Sequence, residues 1–240
     1  MSPALFERAY HGKWDYDLIE GADFEVSWQR FLGGYKGINI TAPFKELAYA
    51  RVDILCPECK VIGATNLVVK TSEGLVAHNS DFLAVRRCLS DEGIGKGGKA
   101  LLIGCGGAGR AVAVAALDLG LSLVLTNRTP ERAEALAAHL EGFYPGRVST
   151  VPFESCMETA AGCDVAVYTL PLASEGIEAL RCPAVMEANY KNPTFSASEL
   201  EKDGCRYIPG TKWLLMQAVL GYEHLTGEAP DIEAMAELYR

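Results

Sequence analysis

Residues 101–110 read Leu-Leu-Ile-Gly-Cys-Gly-Gly-Ala-Gly-Arg, and the fold is decided by how they are read. Gly104, Gly106 and Gly109 satisfy G-x-G-x-x-G, directly after an apolar run at 100–103 and at the start of an Ala/Val-rich stretch. In that setting the three glycines permit a tight turn, close approach of backbone to a pyrophosphate, and close packing of helix on strand. The helix N-terminus adds free N–H groups and a positive dipole end for the phosphates. Glycine-rich turns are common, so the motif alone is weak. Strand, loop, helix and a second strand at 122–126 together specify a dinucleotide-binding βαβ unit that begins near Lys99.

The second strand runs into Thr126-Asn127-Arg128-Thr129-Pro130-Glu131-Arg132. An NAD site usually places a carboxylate about 20 residues beyond the glycines to hold the ribose 2′-OH. This chain has neutral Asn127 there, with Arg128 beside it and Arg132 on the first turn of the next helix. A carboxylate would repel a 2′-phosphate, whereas guanidinium groups grip one through charge-assisted hydrogen bonds. The expected cofactor is therefore NADP.

Further strands are expected at 148–151, 165–168 and 185–188, with helices between them, the rhythm of a doubly wound parallel sheet covered on both faces. Before this half lies Gly93-Ile-Gly-Lys-Gly-Gly98, whose four glycines in six residues read as a linker. The earlier half predicts a short helical start, strands at 16–20 and 35–40, and a helix at 26–32. Pro43 suits a first helical turn, which puts Lys45 near a helix start. Strands at 67–70 and 75–78 flank Thr71-Ser72-Glu73-Gly74 as a hairpin. Ser80 should cap a helix over 81–90 with Phe82, Val85 and Leu89 on one face. Helices at 212–225 and 232–238 close the chain; in the first, Leu214, Ala218, Gly221 and Leu225 form an apolar stripe bordered by Gln217.

The 240 residues carry a net charge of −9, with 49% apolar and 22% charged residues. That is the balance of a globular protein with a full core, and the acidity argues against nucleic acid as a partner. No run approaches the roughly 18 apolar residues of a membrane span. No basic start followed by an apolar stretch marks a secretory signal, so a cytoplasmic setting with reduced cysteines is expected. Cys56-Pro-Glu-Cys59 is a lone CxxC without a second pair, read as incidental. His11, His78, His139 and His224 show no ligand spacing, so no metal is expected.

Several stretches share the order and spacing of one family. They are Asn39-Ile-Thr-Ala-Pro-Phe-Lys45, Ile62-Gly-Ala-Thr-Asn66, His78-Asn-Ser-Asp81, the glycine loop, Asn127-Arg-Thr129, and Gly210 followed by Gln217-Ala218. Over nearly its whole length the chain resembles the shikimate dehydrogenase family. The resemblance implies an α/β fold with the substrate domain first (1–90 plus 212–240), a Rossmann-type NADP domain second (91–211), and final helices returning to the first domain. It implies Lys45 and Asp81 as catalytic pair, and Ser2, Thr41, Asn66, Tyr190 and Gln217 as substrate contacts. For the cofactor it implies Gly104, Gly106, Gly107, Ala108, Gly109, Asn127, Arg128, Thr129, Arg132 and Gly210.

The chemistry of the pair agrees with that assignment. Hydride reduction of a ketone leaves an alkoxide that needs a proton, and a lysine beside a carboxylate can donate one and stabilise the charge. The implied reaction is reversible NADPH reduction of 3-dehydroshikimate to shikimate, in the route to chorismate and aromatic amino acids, by a monomer or homodimer. Alternatives are a quinate/shikimate dehydrogenase using NAD or NADP, or a non-catalytic protein that binds NADP or shikimate. The sequence departs from the family at Tyr168-Thr-Leu-Pro-Leu-Ala173, which replaces an Asn-x-Thr-x-x-Gly-Met loop, at Glu187 and Leu67, and at Trp213, which replaces a methionine.

Overall fold

The computed structural model describes residues 2–10 and 13–239, with Ser2 and Tyr10 by backbone alone. The chain divides into two compact units, 1–83 with 215–240, and 84–214.

In the first unit, α1 (Ser2–Tyr10) is followed by α2 (Phe24–Gly34), β1 (Gly37–Asn39), α3 (Lys45–Tyr49), β2 (Ile54–Leu55), α4 (Pro57–Ile62), β3 (Leu67–Thr71) and β4 (Gly74–His78). The sheet order is β1-β3-β4-β2, with β1/β3 and β3/β4 antiparallel and β2/β4 parallel. Asp23 starts α2 by accepting the Val26 N–H at 3.2 Å, which satisfies a donor the helix itself cannot. Trp28 and Phe31, three residues apart on one face, bury against Ile40, Ala48 and Val68; full burial of such side chains stabilises by roughly 1.5–3 kcal/mol each.

α5 (Ser80–Asp91) contains the division between units, after Leu83. The second unit continues with β5 (Lys99–Ile103), α6 (Gly107–Asp118), β6 (Ser122–Thr126), α7 (Pro130–Glu141), β7 (Val148–Thr150), α8 (Cys156–Ala161), β8 (Val165–Tyr168), β9 (Ala184–Glu187), α9 (Ala197–Lys202) and β10 (Arg206–Ile208). All six strands are parallel, in the order β10-β9-β8-β5-β6-β7. This is the Rossmann order, whose direction of growth reverses between β5 and β8. β5 and β8 are buried on both faces, as a sheet covered on two sides requires. Residues 111–117 of α6 are all buried, so this helix is small and apolar all round. α10 (Gly210–Thr226) carries the second division, after Leu214, and α11 (Ile232–Ala236) follows in the first unit. No helix among the described residues is long and apolar enough to cross a membrane.

Local expectations shift in several places. Residues 15–20 form no strand; side chains rather than a ladder hold this stretch, with Tyr16 stacked on Phe6 at 4.4 Å and Asp17 accepting from the Tyr35 hydroxyl at 3.0 Å. The strand expected over 35–40 shortens to Gly37–Asn39. Pro43 lies before α3, in a turn entered through a cis Ala42–Pro43 bond, and the helix begins at Lys45. Asn79, not Ser80, caps α5: its Oδ1 accepts the Phe82 N–H at 3.0 Å, while Ser80 is already helical. The glycine stretch 93–98 lies within the second unit. The strand expected over 185–188 ends at Glu187, one residue early. β2 and β10 are too short, at two and three residues, to register as hydrophobic runs.

Candidate active site

The first unit gathers four side chains from four places in the chain. Lys45 opens α3, Asn66 immediately precedes β3, Asp81 lies in the first turn of α5, and Gln217 is on α10. Lys45 Nζ is 2.7 Å from Asp81 Oδ2, and the pair is partly buried, with side chains 26% and 11% exposed. Asn66 Nδ2 donates to the same Oδ2 at 3.0 Å, and Gln217 Nε2 donates to Oδ1. The carboxylate is therefore held by three donors on both oxygens, which fixes its plane. Lys45 Nζ makes no other hydrogen bond among the described residues, so its remaining N–H groups point to no competing acceptor.

A second layer of hydrogen bonds orients these groups. Asn66 Oδ1 accepts the Ser80 N–H at 2.7 Å and the Ser80 hydroxyl at 3.2 Å. Buried Thr65 donates its hydroxyl to the His78 carbonyl at 2.6 Å, and its N–H to the Lys45 carbonyl at 3.2 Å. Thr65, Asn79 and Ser80 thus lock the segments that carry Lys45 and Asp81. All three stand inside the quoted motifs, yet the sequence gives them no part in the site; their burial is the signal it lacks. Thr41 is exposed, its carbonyl accepting the Phe44 N–H at 3.0 Å. The Ser2 side chain, expected to contact substrate, lies outside the described residues.

In the second unit the glycines divide by what surrounds them. A Cβ on Gly109 would stand 2.0 Å from the Gly104 carbonyl oxygen, so α6 packs on the β5 turn only without one. Gly104 itself sits at φ +108°, a conformation that favours glycine. Gly106 and Gly107 have nothing within 4 Å of where a methyl group would stand, and Gly106 caps α6 without a side-chain hydrogen bond. The open helix end is thus both unobstructed and rich in free N–H groups. Thr169, just after β8, donates to the Gly104 carbonyl at 2.9 Å and ties the loop to the switch point of the sheet.

Asn127 contributes structure as well as a neutral charge. Its Oδ1 accepts the Cys105 N–H at 3.2 Å and its Nδ2 donates to the Thr129 carbonyl at 2.9 Å, joining the glycine loop to the turn before α7. Arg128 and Arg132 are exposed, and neither forms an ion pair with a described residue. Gly210 opens α10 where a Cβ would meet the Asn189 backbone at 2.7 Å. Tyr190 lies in the loop after β9. Glu187, wholly buried, anchors that loop by accepting the Thr194 N–H at 2.8 Å and the Phe195 N–H at 3.3 Å, together with the Tyr207 hydroxyl. Burial, then the Glu187 hydrogen bond, pushes the Tyr207 phenol well above its usual range.

One further cluster surrounds the His78 ring. Cys56 Sγ lies 3.2 Å from His78 Nδ1, and the His224 ring stands edge-on to His78 with centroids 4.3 Å apart. Burial, and secondarily His224, lowers the His78 pKa to about 4, which keeps the imidazole neutral.

Fold and site define a class: an α/β protein with a Rossmann unit and a second α/β unit carrying a carboxylate-held lysine. Residues 1–68 match the family described as the shikimate dehydrogenase substrate binding domain. A shikimate dehydrogenase (NADP(+)) of Carboxydothermus hydrogenoformans is 34% identical over 216 residues, covering 84% of this chain and 76% of that protein. The shikimate dehydrogenase (NADP(+)) of Archaeoglobus fulgidus is 31% identical over 259 residues, covering 99% and 92%. The crystal structure of shikimate 5-dehydrogenase from Thermus thermophilus, in complex with NADP(H) and shikimate, superposes with a TM-score of 0.81 at 30% identity, covering 98% of this chain and 92% of that one. The chain belongs to the shikimate dehydrogenase family.

Proposed function

We propose that this protein is an NADP-dependent shikimate dehydrogenase that interconverts 3-dehydroshikimate and shikimate in the cytoplasm. The observation that carries this reading is the 2.7 Å Lys45–Asp81 pair, held in turn by Asn66 and Gln217. The unit of 1–83 with 215–240 serves as the substrate domain and that of 84–214 as the cofactor domain. Eight cysteines that all remain free accord with a reducing compartment.

The residues of the second unit fit a dinucleotide phosphate. Gly104, Gly106, Gly107, Ala108 and Gly109 offer an uncapped helix end with room for pyrophosphate. Arg128, Thr129 and Arg132 offer cations and donors for a 2′-phosphate, and neutral Asn127, where an NAD site usually has a carboxylate, holds that turn in place. Gly210 keeps the start of α10 close to the 188–189 backbone. When bound, the nicotinamide supplies or accepts the hydride.

The chain's own residues manage the proton. In reduction, the Lys45 ammonium donates a proton to the substrate carbonyl oxygen as it becomes a hydroxyl; in oxidation, the neutral amine takes that proton back. Asp81 orients Lys45 and balances its charge. Asn66 spends one amide N–H on Asp81 and its oxygen on Ser80, which leaves one N–H for a substrate hydroxyl. Gln217 retains one N–H and its oxygen. Thr41 supplies a hydroxyl for a further polar group of the substrate.

The test is initial rates of oxidation of shikimate or quinate, each with NADP or with NAD. Shikimate with NADP should be the fastest combination. Turnover of quinate but not shikimate, or equal kcat/KM for both cofactors, would overturn the reading.

A further inference from the structure

Cys56, Glu58 and His78 each present one ligand atom, and the three atoms lie within 4.8 Å of one another. They come from two places in the chain. Cys56 directly precedes α4, Glu58 is in its first turn, and His78 ends β4. The parallel pairing of Leu55 with Ala77 sets them side by side, a juxtaposition that the spacing of histidines alone does not reveal.

The donor set is sulfur, nitrogen and oxygen, which suits a borderline metal rather than magnesium or calcium. In a tetrahedral zinc site the metal–sulfur and metal–nitrogen bonds of about 2.3 and 2.0 Å set the S···N separation at about 3.5 Å. The Cys56 Sγ to His78 Nδ1 distance is 3.2 Å, so a few tenths of an ångström of opening would admit the ion. All three residues are half-buried, accessible to an ion yet partly shielded from water. Cys59, the other half of the CxxC, is fully buried and hydrogen-bonded to Thr65. The chelate is therefore not the CxxC pair.

We propose that Cys56, Glu58 and His78 bind one divalent transition-metal ion of the zinc type, with water in a fourth position. Cys56 binds as thiolate and releases its proton to solvent; His78 binds through Nδ1 and Glu58 through one carboxylate oxygen. The reaction does not use this ion. His78 nevertheless lies three residues before Asp81, and its carbonyl accepts the Thr65 hydroxyl, while the Thr65 N–H holds the Lys45 carbonyl. An ion bridging α4 and β4 would thus stiffen the segments that present the lysine and carboxylate, and would report as added stability.

The experiment titrates Co²⁺, in place of zinc, into the chelator-treated full chain. A thiolate-to-cobalt charge-transfer band should grow to saturation at one ion per chain and vanish when Zn²⁺ is added. Cys56→Ser should abolish the band, and His78→Gln and Glu58→Gln should each weaken binding by about tenfold or more. Cys59→Ser should retain it. Zinc at about one hundredfold above its wild-type Kd should raise the wild-type Tm by about 5–10 °C and, at the same concentration, that of Glu58→Gln by about half as much or less. No thiolate band with cobalt in large excess, or a band that persists in Cys56→Ser or is lost in Cys59→Ser, would overturn the assignment. Should Cys56→Ser fail to fold, the Glu58→Gln and Cys59→Ser arms decide it.

Discussion

Gly109→Ala and Gly106→Ala separate two reasons for glycine in one short loop. At Gly109 the new methyl would stand 2.0 Å from the Gly104 oxygen and 3.0 Å from its carbonyl carbon. Both atoms are backbone, so no side chain can swing aside, and α6 must back away from β5. Overpacking of this kind costs about 1–3 kcal/mol, and a rigid obstacle places it at the upper end. For a chain of this size that lowers Tm by about 6–12 °C. At Gly106 nothing lies within 4 Å. Alanine there gains about 0.4–1 kcal/mol by restricting the unfolded chain and loses a similar amount as a poorer helix cap. Its Tm should therefore stay within about 2 °C of wild type. Yet its methyl occupies the open space before the helix end, so NADPH affinity should fall by about tenfold or more, some 1.4 kcal/mol or above. Thermal unfolding of the cofactor-free protein and a fluorescence titration with NADPH measure both. A Gly109→Ala protein that melts like wild type, or a Gly106→Ala protein that binds NADPH normally, would refute the reasoning.

Arg128→Ala should raise KM for NADPH by about tenfold, the loss of one charge-assisted hydrogen bond, with the NADH value little changed; a parallel loss with both cofactors would remove Arg128 from the 2′-phosphate. Asn66→Ala leaves buried partners unsatisfied and frees one side of Asp81, so urea unfolding should show about 2 kcal/mol lost, with kcat reduced as well. His78 predicts a dependence of stability on pH. Its pKa is lowered from 6.5 to about 4 in the fold, so between those values the unfolded chain binds more protons and stability declines as pH falls. Allowing for partial exposure, the loss should reach about 2 kcal/mol, read from unfolding curves across that window and diminished in His78→Asn.

What is legible in the sequence follows from where the determinants lie along the chain. The Rossmann unit is written locally: apolar strands buried on both faces, a glycine loop, and helices between, so β5, α6 and β6 fall within a residue or so of their expected places. In the first unit's sheet the β3/β4 hairpin is local and stands in its expected place, but β1 and β2, of three and two residues, pair non-locally, and there local pattern decides less. Residues 16–20 read as a strand, but a local run cannot supply a ladder partner. Asn79 and Ser80 are both good caps, and only the fold decides that Asn79 is the one used. Lys45 and Asp81 are visible through the motifs around them. The hydrogen bonds of Asn66 and Gln217 to Asp81 are not, since they join residues 15 and 136 positions apart. The Cys56–His78 contact is hidden for the same reason: it depends on a two-residue strand.

The most direct test of the proposed function is the rate of NADPH formation, by near-ultraviolet absorbance, from shikimate and NADP by the wild-type protein and by Lys45→Met. Wild type should turn over, and kcat should fall by about 10²–10⁴-fold in the variant, with NADPH binding intact. Wild-type protein that binds NADPH without turning over shikimate, or a Lys45→Met protein with unimpaired kcat, would contradict it.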